Sequence, residues 1–222
     1  GRAAPLMDLG RTAEAERHCR EVLDWANRHG VFGEALAAVY ALAELLWLRR
    51  ELDEAADLLA GARTAAQSRP AGRGRRSVDM LLGMVALARG DLIAAHDYLR
   101  VALCSRMRYG FHGRACETLN AMAVRCALGG DPLTAAQLFG AAQEHRASLR
   151  SAPDIFGEYW SAQQAQVRAM LGDSVFDKAY ASGTALRLEE AAAIALAVEH
   201  PDLAAEHPDL AADSSRFPVR AC

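Results

Sequence analysis

The sequence is poor in lysine, aromatics and proline. Lys178 is its single lysine, and every other basic residue is arginine or histidine. No G-x-x-x-x-G-K-[ST] phosphate loop is therefore present, and G-x-S-x-G and H-E-x-x-H are absent too. Aromatics make up 6% of the 222 residues while hydrophobic residues reach 52%, much of it alanine. That balance suits close-packed helices better than sheets, which favour β-branched and aromatic side chains. A net charge of −3 excludes a field strong enough to collect nucleic acid or an anionic membrane. Cys19, Cys104, Cys116, Cys126 and Cys222 are odd in number and widely spaced, with no C-x-x-C. That spacing signals neither a zinc site nor a disulfide framework and reads as reduced thiols in a cytoplasmic protein. No apolar run reaches membrane-spanning length, and no signal peptide is expected. The opening GRAAPLMDLG reads as the end of a helix, so the chain is expected to be a piece of a longer protein.

What the sequence does have is repetition. Gly10, Arg50, Gly90 and Gly130 stand forty apart, and five residues after each comes Ala15, Ala55, Ala95 or Ala135. Four further on the column reads Cys19, Leu59, Leu99, Phe139, and three beyond that Val22, Ala62, Ala102, Ala142. Ala at i, a large apolar residue at i+4 and a small one at i+7 make one face of a helix. The segments before each turn repeat as well: Leu42/Leu82/Met122, then Ala43/Gly83/Ala123, then Leu46/Ala86/Cys126. Val39 and Leu119 share a further column that Asp79 breaks. Each unit thus predicts an apolar helix, a tight turn at Gly-Asp or Arg-Glu, and a second helix. Small columns facing large ones let two such helices approach closely.

Leu42-Ala43-x2-Leu46 with Ala55-x3-Leu59, Leu82-Gly83-x2-Ala86 with Ala95-x3-Leu99, and Met122-Ala123-x2-Cys126 with Ala135-x3-Phe139 resemble the tetratricopeptide repeat. The aromatic positions of that signature are lost, no Pro closes a unit, and the period is forty rather than thirty-four. The expected fold is all-α: a right-handed α-solenoid of antiparallel helix pairs over 1–150, its first repeat incomplete with Thr12–Arg28 whole. Capping helices over 151–198 and a mobile tail over 199–222 complete it. SRPAGRGRRS, 68–77, is expected as a solvated loop. Helices are expected near Asp154–Leu171, Asp173–Ala181 and Leu188–Val198.

Leu138-Phe139-Gly140-Ala141-Ala142, Arg168 with Leu171-Gly172, Phe176 with Ala179-Tyr180 and Gly183, and Leu188-Glu189-Glu190-Ala191 resemble the end of the repeat region in large bacterial regulators. In those proteins a signal-transduction ATPase precedes the repeats; often a LuxR-type DNA-binding domain follows them, and some carry a cyclase domain in front. The matching residues have the character of packing and turn positions and bring no catalytic group. An atypical terminal repeat that caps a solenoid gives the same physical reading. The chain departs from those relatives at Glu199–Ala205 and Glu206–Ala212, two identical EHPDLAA heptads in which Pro201 and Pro208 prevent a continuous helix.

Glu117 and Glu144 read as lone acids, Glu189-Glu190 as the acidic start of a helix, and His18, His29, His96, His112 and His145 as surface or turn histidines. His200 and His207 lack fixed ligand geometry, so no metal or other cofactor is expected. Trp25, Trp47 and Trp160 read as core or cap aromatics. A second stripe on the first helices reads Tyr40/Met80/Asn120, Glu44/Met84/Val124 and Trp47/Leu87/Ala127. The tetratricopeptide resemblance implies that such a face lines a concave groove. Tyr40, Glu44, Trp47, Met80, Met84, Leu87, Asn120 and Val124 are the expected groove for a protein or peptide partner, with Glu44 orienting a basic or amide group.

The expected function is a non-enzymatic sensor arm of a bacterial regulator, coupling a bound partner to an upstream ATPase absent from this chain. A stand-alone scaffold or the remnant of a truncated regulator is the alternative. An enzyme would need convergent polar groups that the columns lack. Direct DNA binding would need a basic recognition helix, where the sequence has only Arg73, Arg75 and Arg76.

Overall fold

A computed structural model describes residues 3–67, 73–149 and 154–198, and among these residues there are helices and no strand. The helices are α1 (Ala3–Asp8), α2 (Thr12–Arg28), α3 (Leu36–Leu48, entered through a 3-10 turn Phe32–Ala35), α4 (Leu52–Gln67) and α5 (Arg73–Arg89). They continue with α6 (Leu92–Arg108), α7 (His112–Leu128), α8 (Pro132–Ser148), α9 (Gly157–Leu171), α10 (Asp173–Thr184) and α11 (Leu188–Ala197). The chain divides into two compact units, Gly1–Gly90 and Asp91–Cys222. Helices adjacent in sequence pack on one another from α1 to α5 in the first and from α6 to α10 in the second, where α8 also packs closely with α10. The second unit therefore joins the capping helices to α6–α8 instead of setting them apart at residue 150. Helix α5 starts at Arg73, so the loop expected over 68–77 ends earlier. The side chains of Arg73, Arg75 and Arg76 and the duplicated heptads of the tail lie outside the described residues.

The repeat has a finer grain than forty residues. Gly10, Gly30, Arg50, Gly90, Gly110 and Gly130 all have positive φ, between 65° and 88°, and are spaced in multiples of twenty. Helices α2, α5, α6, α7 and α8 are each 17 residues long, and after α2, α6 and α7 a three-residue turn completes the interval. At five of the positive-φ turns the same two bonds recur, and at Gly90 the first of them does, to the Leu87 carbonyl (3.1 Å). The Gly130 amide donates to the Ala127 carbonyl (3.2 Å) and the Asp131 amide to Cys126 (2.8 Å). Gly10, Gly30, Arg50 and Gly110 repeat that geometry with Met7, Asn27, Trp47 and Met107. This left-handed cap satisfies carbonyls that a helix end would otherwise strand, and glycine adopts it without strain. Asp91 and Asp131 then cap the next helix by accepting from Ala94 N (2.9 Å) and Thr134 N (3.0 Å).

A helix restarting three residues after its predecessor ends must turn its first inward residue against that predecessor's last turn. Only a small side chain fits. Ala15, Ala55, Ala95, Ala115 and Ala135, each five residues past the turn, are fully buried and donate the first helical hydrogen bond. Four residues further, Cys19, Val39, Leu59, Leu99, Leu119 and Phe139 are likewise buried, and Asp79 occupies the same column. All the sequence-derived packing residues are interior: Leu42, Ala43, Ala55, Leu59, Leu82, Gly83, Ala95, Leu99, Met122, Ala123, Ala135 and Phe139.

Arginines stitch the end of one helix to the start of an earlier one. Arg49 pairs with Glu16 (2.6 Å), Arg89 donates to the Leu52 carbonyl (3.3 Å) and pairs with Asp53, and Arg125 donates to the Leu92 carbonyl (3.4 Å). Arg20 adds a pair with Glu54 (2.7 Å). Exposed pairs of this kind each contribute less than about 1 kcal/mol.

Arg50 is the one non-glycine residue in the left-handed region among those described. Gly130→Ala, whose added methyl meets nothing within 4 Å, should lower stability in urea by about 1–2 kcal/mol from backbone strain alone. Arg50→Gly should shift it the other way by about 1 kcal/mol or less.

Candidate functional site

The stripe expected to line a groove is largely interior. Trp47 is 3% exposed, and its indole Nε1 donates to the Met84 carbonyl at 2.8 Å, tying α3 to α5. Met80, Met84, Leu87, Asn120 and Val124 are buried as well. Tyr40 and Glu44 alone among the eight are half-buried. This corrects the expected groove: residues closed to solvent cannot line an open one. The cause is that α3 and α5 bury nearly every residue along their inner lengths, and α7 buries every residue from Ala115 to Cys126. Trp25 departs the opposite way, standing 51% exposed on α2 with His29 stacked on it at 4.5 Å. Trp160 is buried as expected.

Near Tyr40 an ion pair interrupts an apolar column. Asp79 is buried on α5, with the Arg63 guanidinium of α4 at 3.2 Å. Burial, and then the Asp79 carboxylate, push the Tyr40 phenol above its ordinary pKa. Tyr40 is therefore a neutral hydroxyl at any physiological pH, able to donate as well as accept.

The second unit holds a larger ionic cluster. Arg106, nearly closed to solvent on α6, donates to the Arg114 carbonyl and to Thr118 Oγ1 (2.7 Å) and stands 3.7 Å from Glu117. Glu117 accepts from Arg114 at 2.9 and 3.0 Å. It is not the lone acid its sequence context suggests. Burial pushes its carboxyl upward, and the two arginines act against that shift. Arg146 on α8 pairs with Asp154 (2.8 Å), which also accepts from Trp160 Nε1 (2.9 Å) and Phe156 N (3.0 Å). Asp154 thus fastens the start of the cap to α8 through Arg146, while two donors of the cap itself hold the carboxylate in place.

The residues that carried the regulator resemblance meet in space. A Cβ on Gly140 of α8 would lie 2.2 Å from the Tyr180 carbonyl oxygen, and one on Gly183 of α10 would lie 1.9 Å from that of Gln137. Helices α8 and α10 therefore touch backbone to backbone, and each glycine makes room for the other helix. Arg168 lies over the Phe176 ring at 4.2 Å and pairs with Asp173 (3.1 Å) and Asp177 (2.8 Å). No family model, curated protein or solved structure matches this chain.

Cys19, Cys116 and Cys126 are free and buried; burial pushes Cys116 up to about 11 and Cys126 to about 12, so neither is a reactive thiolate at neutral pH. Among the described residues no group of three His, Cys, Asp or Glu side chains could hold a metal ion. None of the described helices is long and apolar enough to cross a membrane. His145 Nε2 lies 2.9 Å from the Leu186 carbonyl. His96 is half-buried, its Nδ1 without a hydrogen-bond partner among the described residues, which corrects its reading as a surface histidine. Burial, Arg125 and Arg100 pull its pKa down to about 4.

Gly183→Ala should cost about 1–3 kcal/mol or more, because the obstacle is backbone. Gly61→Ala on α4, with nothing within 4 Å, should gain about 0.5–1 kcal/mol. Matching urea midpoints for the two would contradict the α8–α10 contact. For His96, the folded pKa of about 4 lies below the unfolded value near 6.5, so the unfolded chain takes the proton first. Stability should fall as pH drops from about 6.5 towards 4, by on the order of 2 kcal/mol at pH 5. His96→Gln should lose that share of the pH dependence in urea titrations at pH 7 and pH 5.

Proposed function

We propose that this chain is a protein-interaction arm, an α-solenoid of antiparallel helix pairs that couples a bound partner to an ATPase elsewhere in a bacterial signalling or transcriptional regulator. The observation that carries the reading is the module itself. Five helices of 17 residues and a recurring left-handed turn build it, and in the first unit α3 neighbours both α1 and α5 while α2 and α4 fill the intervals. A stack of this kind presents a long ordered face at small conformational cost, which suits recognition of a peptide or helix. The resemblance of Leu138–Ala142 and of the Phe176–Gly183 segment to the ends of regulator repeats supports the ATPase connection and a cytoplasmic setting.

The partner surface is reduced to what stays accessible on α3: the Tyr40 hydroxyl face and the half-buried Glu44, with exposed Leu48 at the end of the same stripe. These three lie four residues apart, on one side of the helix. Trp47 belongs to the core in this reading. A photo-crosslinking residue at position 40, compared with one at exposed Thr64 on α4, identifies the partner in a bacterial host. Tyr40→Ala should then weaken the purified complex at least tenfold with little change in melting. Trp47→Ala should cost about 3–5 kcal/mol of stability. Unchanged affinity in Tyr40→Ala would move the partner off α3.

A further inference from the structure

Helix α7 is an odd member of a repeat array. Its twelve residues from Ala115 to Cys126 are all buried, including the polar Glu117, Thr118, Asn120 and Arg125. It is surrounded within its unit by α6, α8, α9 and α11. Of these, α11 packs against α6, α7 and α8 together. The chain's own last described helix thus covers the face that α7 and its neighbours would otherwise present.

The two C-terminal helices are held differently. Helix α10 is locked to α8 by the Gly140–Gly183 crossing, where no side chain separates the backbones. Helix α11 buries Leu188, Ala191, Ala192 and Ala195, one stripe at i, i+3, i+4 and i+7 with a single large side chain. Beside its first turn an open cleft of about 300 Å³ lies between His112, His145, Arg187 and Glu189. Elements with few buried apolar contacts open at a lower free energy than the core. Helix α11 also carries its own cap: the Arg187 amide donates to Glu190 (2.9 Å), and the two side chains pair. Its start needs nothing from the rest of the unit to stay helical.

At the other end, Arg125 supplies the polar anchor. Nearly closed to solvent, it donates from Nη1 to the Val198 carbonyl (3.0 Å) and from Nε to the Leu92 carbonyl (3.4 Å). Removing α11 takes away the carbonyl at the helix C-terminus that faces this guanidinium. A buried donor of that kind selects another helix C-terminus, whose last carbonyls are unpaired and sit at the negative end of the dipole.

We propose that α11 is a displaceable plug, an internal stand-in for a short alanine-faced helix of a partner protein. That partner helix would lay small residues on α6–α8 and deliver its C-terminal carbonyls to Arg125. The site is separate from the α3 surface, and either can fail without the other.

The test uses the full chain and, as probe, a labelled peptide of residues 186–198, LRLEEAAAIALAV. In the wild type, native-state hydrogen exchange should open α11 at least tenfold faster than α7 and α10. Ala195→Asp should undock α11, leave α10 protected, and bind the peptide at least tenfold more tightly than the wild type does. The same peptide carrying Ala195→Asp should not bind, and Arg125→Gln in the undocked chain should weaken the wild-type peptide. Exchange of α11 in step with α7 would overturn the proposal. So would collapse of the whole unit in Ala195→Asp, or a folded, undocked chain that ignores the peptide.

Discussion

The fold rests on one steric constraint: a helix must restart within three residues of the previous one. The left-handed residue at each turn makes the reversal possible, and the alanine five residues later makes it close-packed. Where both are satisfied, a helix of fixed length follows and the next turn arrives in register. The interiors show the consequence, because the column four residues beyond the alanine is closed to solvent in α2, α3, α4, α6, α7 and α8. Burial of these large side chains is the main favourable term, and the turn decides which ones face inward. Arg50 marks how far the rule bends, since a non-glycine residue there carries some strain and adds a weak bond to the Ala88 carbonyl at 3.4 Å.

Polar groups inside such a frame are costly unless paired. The chain places them where helices of different parts of a unit meet. Asp79 faces Arg63 between α4 and α5; Arg106, Glu117 and Thr118 join α6 to α7; Asp154 ties the cap to α8. Each pairing specifies which helices may be neighbours, as a purely apolar seam does not. Arg125 belongs to the same set, but its partners are carbonyls at helix ends, which makes that contact exchangeable in principle. The rigid α8–α10 crossing and the alanine-faced α11 thus give one unit a fixed and a removable side.

Much of the frame could be read from the residues. The helix ends at Arg28, Leu171 and near Val198 follow from turn glycines and from apolar stripes of helical period. The forty-residue register was visible because second helices carry small residues, Ala62, Ala102 and Ala142, where first helices carry large ones, Leu42, Leu82 and Met122. That same alternation hid the twenty-residue module, and Asp79 broke the column that would have revealed it. The groove was misplaced because a stripe of Trp and Met looks alike on an open face and on a third buried side. The signal that separates them lies in α3 itself: LAAVYALAELLWL has one charge in 13 residues, and a helix apolar all round is a buried helix. The Gly140–Gly183 contact needs two segments far apart in sequence to meet, which no single stretch encodes.

The alanine column is the most direct place to test the account. Ala15, Ala55, Ala115 and Ala135 would each be replaced by leucine and compared, by urea denaturation, with the same change at the exposed Ala13 and Ala60. The account predicts a loss of about 1–3 kcal/mol at every member of the column, from overpacking behind the turn, and changes within about 0.5 kcal/mol at the two exposed positions. Column variants as stable as Ala13→Leu and Ala60→Leu would contradict it.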